Sequence, residues 1–484
     1  MNTYIKMALI GLLVFPLVFG ISSCAVNPVT GKQELMLLSE ADEVNLGVEA
    51  DAKIVKEYGI YEDAKLTAYL NDIYQRIGKI SHRPNLTYHF KILDASVVNA
   101  FAVPGGYVYF TRGILASLNS EAELAAVMGH EIGHITARHS AQQYSRAQLA
   151  QVGLLGLGMA LPEAYSSLSG LAQFGVGMLF LRFSRDNERQ ADDLGVEYAS
   201  KVGYDASQMA YFFETLERMN PGSDRSGLPG WFSTHPNPED RVKVVRTLAV
   251  EWQDKTGRKD WMINREPYLR QIDGLIFGDD PRQGYVEGNV FYHPELLFQF
   301  PVPANWKINN TPSNVQMVSQ GQEAVMLFTM TKGTSSREAA RTFISKTGAR
   351  VIRSEAIQIN GMASERLLSE IQTQKGVIRV LSCFIQRGKQ IFVFHGVTSP
   401  GLFQRYGSIF DKTMQQFREL SDHQKINVKP DRIRIHATRT TDTLENSLRS
   451  FSVPDDKLKE MALINGKYLN DVLPANTLLK IVKK

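Results

Sequence analysis

Cysteine is scarce: the chain has two in 484 residues. That excludes a disulfide-stapled scaffold and a four-cysteine zinc module. Charge of one sign is also lacking, since 54 Lys and Arg face 50 Asp and Glu for a net of +4. A nucleic-acid partner would want a concentrated basic face, and this balance gives no argument for one. Long apolar runs are missing as well. The apolar stretches at 7–21, 152–161 and 168–181 each fall short of the roughly 20 residues a spanning helix needs. What is present is 43% hydrophobic and 10% aromatic residues, too apolar for a disordered chain. The length exceeds one core, so two to four domains are expected.

The first segment reads as an address. One lysine precedes the apolar run, and Ser22 and Ser23 then lead to Cys24. That order describes a bacterial export signal over 1–23. A cysteine directly after two serines resembles the lipobox of bacterial lipoproteins. The resemblance implies cleavage before Cys24 and acylation of its thiol, hence a membrane contact through a lipid anchor. Ala25 follows rather than Asp, so nothing there suggests retention at the inner membrane by the lipoprotein sorting rule. An ordinary signal peptide and an uncleaved anchor are the alternatives. Cys383 lies in an apolar, strand-like run and reads as a buried, inert core residue.

Residues 25–40 read as an extended tether. Apolar residues at three and four spacing predict helix over 39–80. A strand follows at 88–93. Two apolar runs, 97–103 and 107–111, flank Pro104, Gly105 and Gly106 as a hairpin. Ser120 and Glu123 predict a capping box ahead of a helix running to about Ala147. The apolar hairpin at 152–181 reads as helical, packed on the core or over a cleft. Helix returns over 187–201, and a Pro/Gly-rich loop at 220–238 precedes a helix near 240–252. Beyond about Lys255 the pattern turns to strands, at 291–300, 315–330, 351–359, 364–373 and 377–397. Helices are expected at 336–346 and 400–420. A polar stretch at 421–431 leads to a last small unit.

The chemistry centres on His130-Glu131-Ile132-Gly133-His134. On a helix, positions i and i+4 share a face, so both imidazoles can meet one ion, with Glu131 beside them. With 10 histidines in the chain, roughly 0.01 such motifs are expected by chance. Three protein ligands and one open position make a catalytic zinc site, so a third ligand is needed. A metzincin would place Gly at 137 and His at 140, where Ala137 and Ser140 stand. His139 lies about 180° around a continuous helix from His130, and so reads as solvated or capping. The remaining option is a glutamate on a later helix. Glu188 offers it, with Asp192 one turn on to hold the far nitrogen of a ligand histidine.

HExxH followed some fifty residues later by E-x-x-A-D resembles the gluzincin peptidase family that includes HtpX and the CAAX-prenyl protease. Residues Asn99, Ala100, Phe101 and Ala102, with the hairpin behind them, are similar to that family's active-site edge strand. His235 and Arg241, six residues apart, match as well. The resemblance covers about 25–255. It implies one Zn2+ per chain on His130, His134 and Glu188, with Glu131 as general base. His235 and Arg241 would donate to the oxyanion, and residues 99–103 would pair with an extended substrate backbone. In a second role, His235 would sit on the zinc and hold the enzyme latent. A lipoprotein signal on this domain is closest to the periplasmic members, and the membrane-embedded members' spans are missing here.

The second domain's order resembles the PsbP/Mog1-like sandwich. Asp442-Thr443-Leu444, Asn465-Gly466 and the run at 478–482 resemble a LysM-like module, although Thr441 replaces the glycine usual before Asp442. The expected fold is multidomain. A mainly α-helical zincin-type peptidase with a small β-sheet spans 24–255, an α/β domain with its linker 256–420, and the LysM-like α/β module 430–484. The expected function is a zinc-dependent endopeptidase acting on unfolded or misassembled envelope proteins at the periplasmic face of the outer membrane. Peptidoglycan contact through the LysM-like module would accompany it, and no nucleic acid is expected. A chaperone using the same groove without proteolysis is the alternative.

Overall fold

A computed structural model describes residues 24–156, 182–219, 230–235, 240–373 and 376–484. The export signal, most of the apolar hairpin at 152–181 and most of the loop at 220–238 lie outside the described residues. Two compact units form. One takes the chain up to Val55, Gly59–Gly278 and Arg432–Lys483; the other is mostly Asp279–Asp431.

The first unit opens with a short antiparallel pair, β1 (Cys24–Val26) and β2 (Gln33–Leu35). These residues are not a free tether. Asn27 is fully buried, and its Nδ2 donates to Ala137 O at 3.3 Å. Leu37 N–H donates to Ser145 Oγ at 2.8 Å. The predicted helix over 39–80 is two helices. Ser39 caps α1 (Glu40–Tyr58) with a capping box. Gly59 at φ +69° ends it, and Asp63 caps α2 (Ala64–Ile80). A three-stranded sheet follows: β3 (His89–Leu93), β4 (Ala100–Val103) and β5 (Tyr107–Thr111), in the order β3-β5-β4. β3 runs parallel to β5 and β4 antiparallel, so β4 stands at an edge. Helix α3 (Arg112–Ser117) leads on to α4 (Glu121–Thr136).

Every residue of α4 is buried, as expected of a helix at the centre of a core. Ser120 Oγ accepts from Glu123 N–H at its start, at 3.1 Å. The Glu123 carboxylate reaches one residue further back, to Asn119 N–H at 2.7 Å, so only half of the expected capping box forms. Nor does α4 continue to Ala147. Arg138 turns left-handed, φ +58°, and a new helix, α5 (His139–Gly156), begins. That turn is unfavourable for a side chain. Buried Glu43 holds it, accepting from Arg138 Nε at 2.5 Å and from Arg83 Nη1 at 2.9 Å. Arg138 Nη2 also donates to Leu38 O at 2.8 Å.

Helix α6 (Arg185–Lys201) packs on α4 at backbone range. A Cβ on Gly195 would lie 3.0 Å from both Ala126 O and His130 N; glycine is what permits the approach. α7 (Gln208–Met219), α8 (Arg241–Thr256) and α9 (Arg265–Gln271) complete the surround. Residues 256–278 belong to this unit: Tyr268 of α9 is fully buried and donates to Leu115 O at 2.7 Å. The C-terminal residues join it too. Strands Arg432–Ala437 and Leu478–Lys483 pair antiparallel around helices Leu444–Ser450 and Leu458–Ile464. Lys480 is fully buried, and its Nζ donates to Ala116 O at 2.7 Å and Leu118 O at 2.9 Å.

The second unit holds a seven-stranded and a four-stranded antiparallel sheet. Three of the predicted strands split into hairpins. One is Gly376–Arg387 with Gln390–Thr398, turned at Gly388 with φ +59°. Phe291, Phe298, Phe300, Phe328, Phe392 and Phe394 fill the core. Cys383 is buried there as expected, and burial pushes its thiol up to about 12. Among the described residues, no helix is long and apolar enough to cross a membrane.

Candidate active site

Helix α4 carries His130, Glu131 and His134. Their shared face brings the two Nε2 atoms to 3.1 Å. The close crossing of α6 delivers Glu188, with Oε1 3.5 Å from His134 Nε2 and Oε2 3.7 Å from His130 Nε2. His235 ends a single helical turn, Trp231–Thr234. Its Nδ1 lies 3.3 Å from His130 Nε2 and 3.0 Å from Glu188 Oε1.

These spacings can be tested against a metal. Ligand atoms about 2.0–2.1 Å from a tetrahedral centre stand roughly 3.3–3.4 Å apart. The four side chains each offer an atom within 4.8 Å of the others, and the separations above, 3.0–3.7 Å, scatter around that edge length. All four are buried. Glu188 Oε2 lacks a hydrogen-bond partner, a costly state for a buried polar atom. Burial holds the imidazoles of His130 and His134 well below their ordinary range, and the neutral form is the one that binds metal. The donor set therefore suits a tetrahedral cation.

Glu131 flanks the set, its Oε1 3.6 Å from His235 Nε2. Burial pushes its carboxyl up to about 7 against the pull of His235, which poises it to exchange protons near neutrality. At Glu188, burial acts upward, but His235, Arg241 and His130 outweigh it and hold the carboxyl low. At His235, burial acts downward, but Glu188 and Glu131 outweigh it and hold the imidazole high.

Outer partners fix the ligands. Asp192 Oδ1 is 2.9 Å from His130 Nδ1. Arg241, first residue of α8, forks onto Asp192 with Nε and Nη2, both at 2.7 Å. Its Nη1 is buried without a partner. Trp231 stacks on His235 with centroids 4.3 Å apart, and Phe183 on His134 at 3.9 Å.

Most of the predicted residues converge here: His130, Glu131, His134, Glu188, Asp192, His235 and Arg241. Asn99, Ala100, Phe101 and Ala102 are all buried along β4 and its approach. Cys24 lies in β1. His139 is a correction. It is fully buried, not solvated, with Nδ1 2.9 Å from His134 Nδ1 and Nε2 2.9 Å from Gln190 Oε1. A separation of 180° from His130 holds only on one continuous helix, and the left-handed Arg138 breaks that helix. Gln190, Phe183 and Trp231 were missed. The only signals were a histidine just past HExxH and a glutamine inside the E-x-x-A-D segment.

Residues 64–249 match the model of peptidase family M48. The β-barrel assembly-enhancing protease of Escherichia coli (strain K12) is 32% identical over 231 residues, 46% of this chain and 47% of that protein. The chain thus spans about half the length of that relative. The mitochondrial metalloendopeptidase OMA1 of Schizosaccharomyces pombe is 29% identical over 251 residues, 51% of this chain and 72% of that one. Among solved structures, cyanobacterial PsbP from Synechocystis sp. PCC 6803 is similar at a TM-score of 0.24 and 14% identity, over 28% of this chain and 96% of that one. The segment similar to peptidase family M48, residues 64–249, carries His130, His134 and Glu188 of the donor set.

Proposed function

We propose that the chain is a zinc-dependent endopeptidase that hydrolyses unfolded or misassembled proteins of the cell envelope. The observation that carries this is the four-atom, tetrahedrally spaced donor set with a buried carboxylate beside it. His130, His134 and Glu188 would hold one zinc ion, which supplies a Lewis acid to the reacting carbonyl and water. Glu131 takes the proton of the attacking water and passes it to the leaving amine. His235 and Arg241 donate to the negative charge of the tetrahedral intermediate. In Arg241 the donor left for this is Nη1, since Nε and Nη2 are held by Asp192. β4 offers its edge to an extended substrate backbone. Such pairing grips main chain and so favours unfolded clients.

His235 has a second proposed role. Its Nδ1 lies among the zinc-ligand atoms, at the position a substrate or water would need, and so holds the enzyme latent until displaced. The envelope location rests on the export signal, on Cys24 as a lipid anchor at the outer membrane, and on the similarity to the bacterial β-barrel assembly-enhancing protease. The C-terminal strand–helix–helix–strand unit is proposed to be LysM-like and to contact peptidoglycan.

Metal analysis of purified protein, paired with cleavage of an unfolded substrate before and after chelation, tests the reading. One zinc per chain and activity restored by added zinc are expected. Cleavage that survives complete zinc removal would overturn it.

A further inference from the structure

A histidine binds metal through Nε2 only when its proton sits on Nδ1, so each ligand imidazole needs its tautomer set from outside. For His130 the setting group is Asp192, a carboxylate that only accepts. For His134 the neighbour at Nδ1 is another imidazole, His139, at 2.9 Å. An imidazole nitrogen can give or take a proton, so this contact alone settles nothing.

Gln190 settles it. Its Oε1 lies 2.9 Å from His139 Nε2, and a carbonyl oxygen only accepts. With the amide in this orientation, the proton of His139 is on Nε2. His139 Nδ1 then carries a lone pair and accepts from His134 Nδ1–H. That leaves the lone pair of His134 on Nε2, which faces His130 Nε2 at 3.1 Å and Glu188 Oε1 at 3.5 Å. The relay also works in reverse. With the amide of Gln190 turned over, its NH2 donates to His139 Nε2, His139 Nδ1–H donates to His134 Nδ1, and the His134 proton moves to Nε2, where it blocks metal.

We infer that Gln190 and His139 are positioning residues that act in series on His134, fixing it as the metal-binding tautomer through a neutral chain of two hydrogen bonds. The fold supports this at both ends. The left-handed Arg138, held by Glu43, brings His139 back under His134. Gln190 rides on α6 between Glu188 and Asp192, so one helix supplies a ligand and the outer partners of both histidines. His139 is fully buried, whereas Gln190 is partly exposed, so the outer end tolerates substitution.

This inference rests on the proposal that the site binds zinc, and the test separates the two. In the zinc-free full-length protein, 15N spectra of labelled imidazoles should show protons on His134 Nδ1 and His139 Nε2. A proton on His134 Nε2 would overturn the inference whether or not zinc ever binds. Zinc affinity is then measured by chelator competition in Gln190→Glu, which only accepts, and Gln190→Lys, which only donates. Gln190→Glu should bind zinc at least as tightly as wild type, and Gln190→Lys 10–100-fold more weakly. His139→Phe, which removes the relay, should fall in that weaker range. Equal affinities across wild type and the two Gln190 variants would overturn the relay. Absence of zinc from all of them would sink the metal reading and leave the spectra to decide the tautomer.

Discussion

Replacing Glu43 by leucine tests how the chain turns back beneath its metal-binding helix. The Glu43 carboxylate is 2% exposed and lies between two guanidiniums that are 7% and 4% exposed, those of Arg83 and Arg138. Glu43→Leu leaves both charges buried without their main partner, a change that typically costs about 3–5 kcal/mol. Arg83 keeps Glu40 at 3.4 Å, but that residue is 70% exposed, so the relief is small. Arg138 suffers twice, because its left-handed φ of +58° carries about 1–2 kcal/mol of strain that Glu43 helps to hold. For a unit of this size the loss lowers the melting temperature by roughly 5–10 °C. Calorimetry of the full chain with a chelator present reads it without metal linkage. Zinc affinity should fall as well, because His139 is displaced from His134. Adding Arg138→Gly to Glu43→Leu removes both the φ strain and one buried charge, and should recover about 1–2 kcal/mol. A Glu43→Leu protein with an unchanged melting point and unchanged zinc affinity would refute the reasoning.

Three other outcomes are expected. Lys480→Met leaves the buried carbonyls of Ala116 and Leu118 without their donor and should destabilise the first unit by about 1–3 kcal/mol; a calorimetric loss near zero would show that the lysine is dispensable. In the second unit, burial pushes His293 and His395 down to about 4 from an ordinary value of 6.5. The unfolded chain binds their protons first, so the stability they give is present above about pH 6.5 and lost as pH falls towards 4. The loss is at most about 3 kcal/mol each, and NMR titration of both rings near 6.5 would contradict it. His235→Ala should move the proteolytic rate severalfold, upward if the imidazole chiefly holds the site latent and downward if it chiefly donates to the oxyanion, and an unaltered rate would remove both roles.

Much of the site was legible because its signals are local. His130, Glu131 and His134 share one helix face by periodicity alone, and Glu188 and Asp192 lie one turn apart on another. The glycines that let these helices meet, Gly129, Gly133 and Gly195, gave no such signal, since their meaning depends on the partner backbone. His139 was misread for a related reason. Its place depends on a left-handed arginine held by a glutamate 95 residues away, which no helical wheel contains. Residues 25–40 read as a tether because the anchoring bonds of Asn27 and Leu37 run to partners 110 and 108 residues away. Lys480 carried no signal of its burial, since lysines are usually exposed, and only the docked C-terminal unit shows why this one is buried. In the second unit the strands were visible from alternation, while the hairpins inside the longer runs depended on single turn residues such as Gly388.

The central claim is that this buried cluster hydrolyses peptide bonds with Glu131 as the proton carrier. Its most direct test is Glu131→Gln, compared with wild type for zinc content and for cleavage of an unfolded protein. Equal zinc in both proteins and a cleavage rate lower by about 10²–10⁴ in the variant are expected. Equal cleavage by the two zinc-loaded proteins would contradict it.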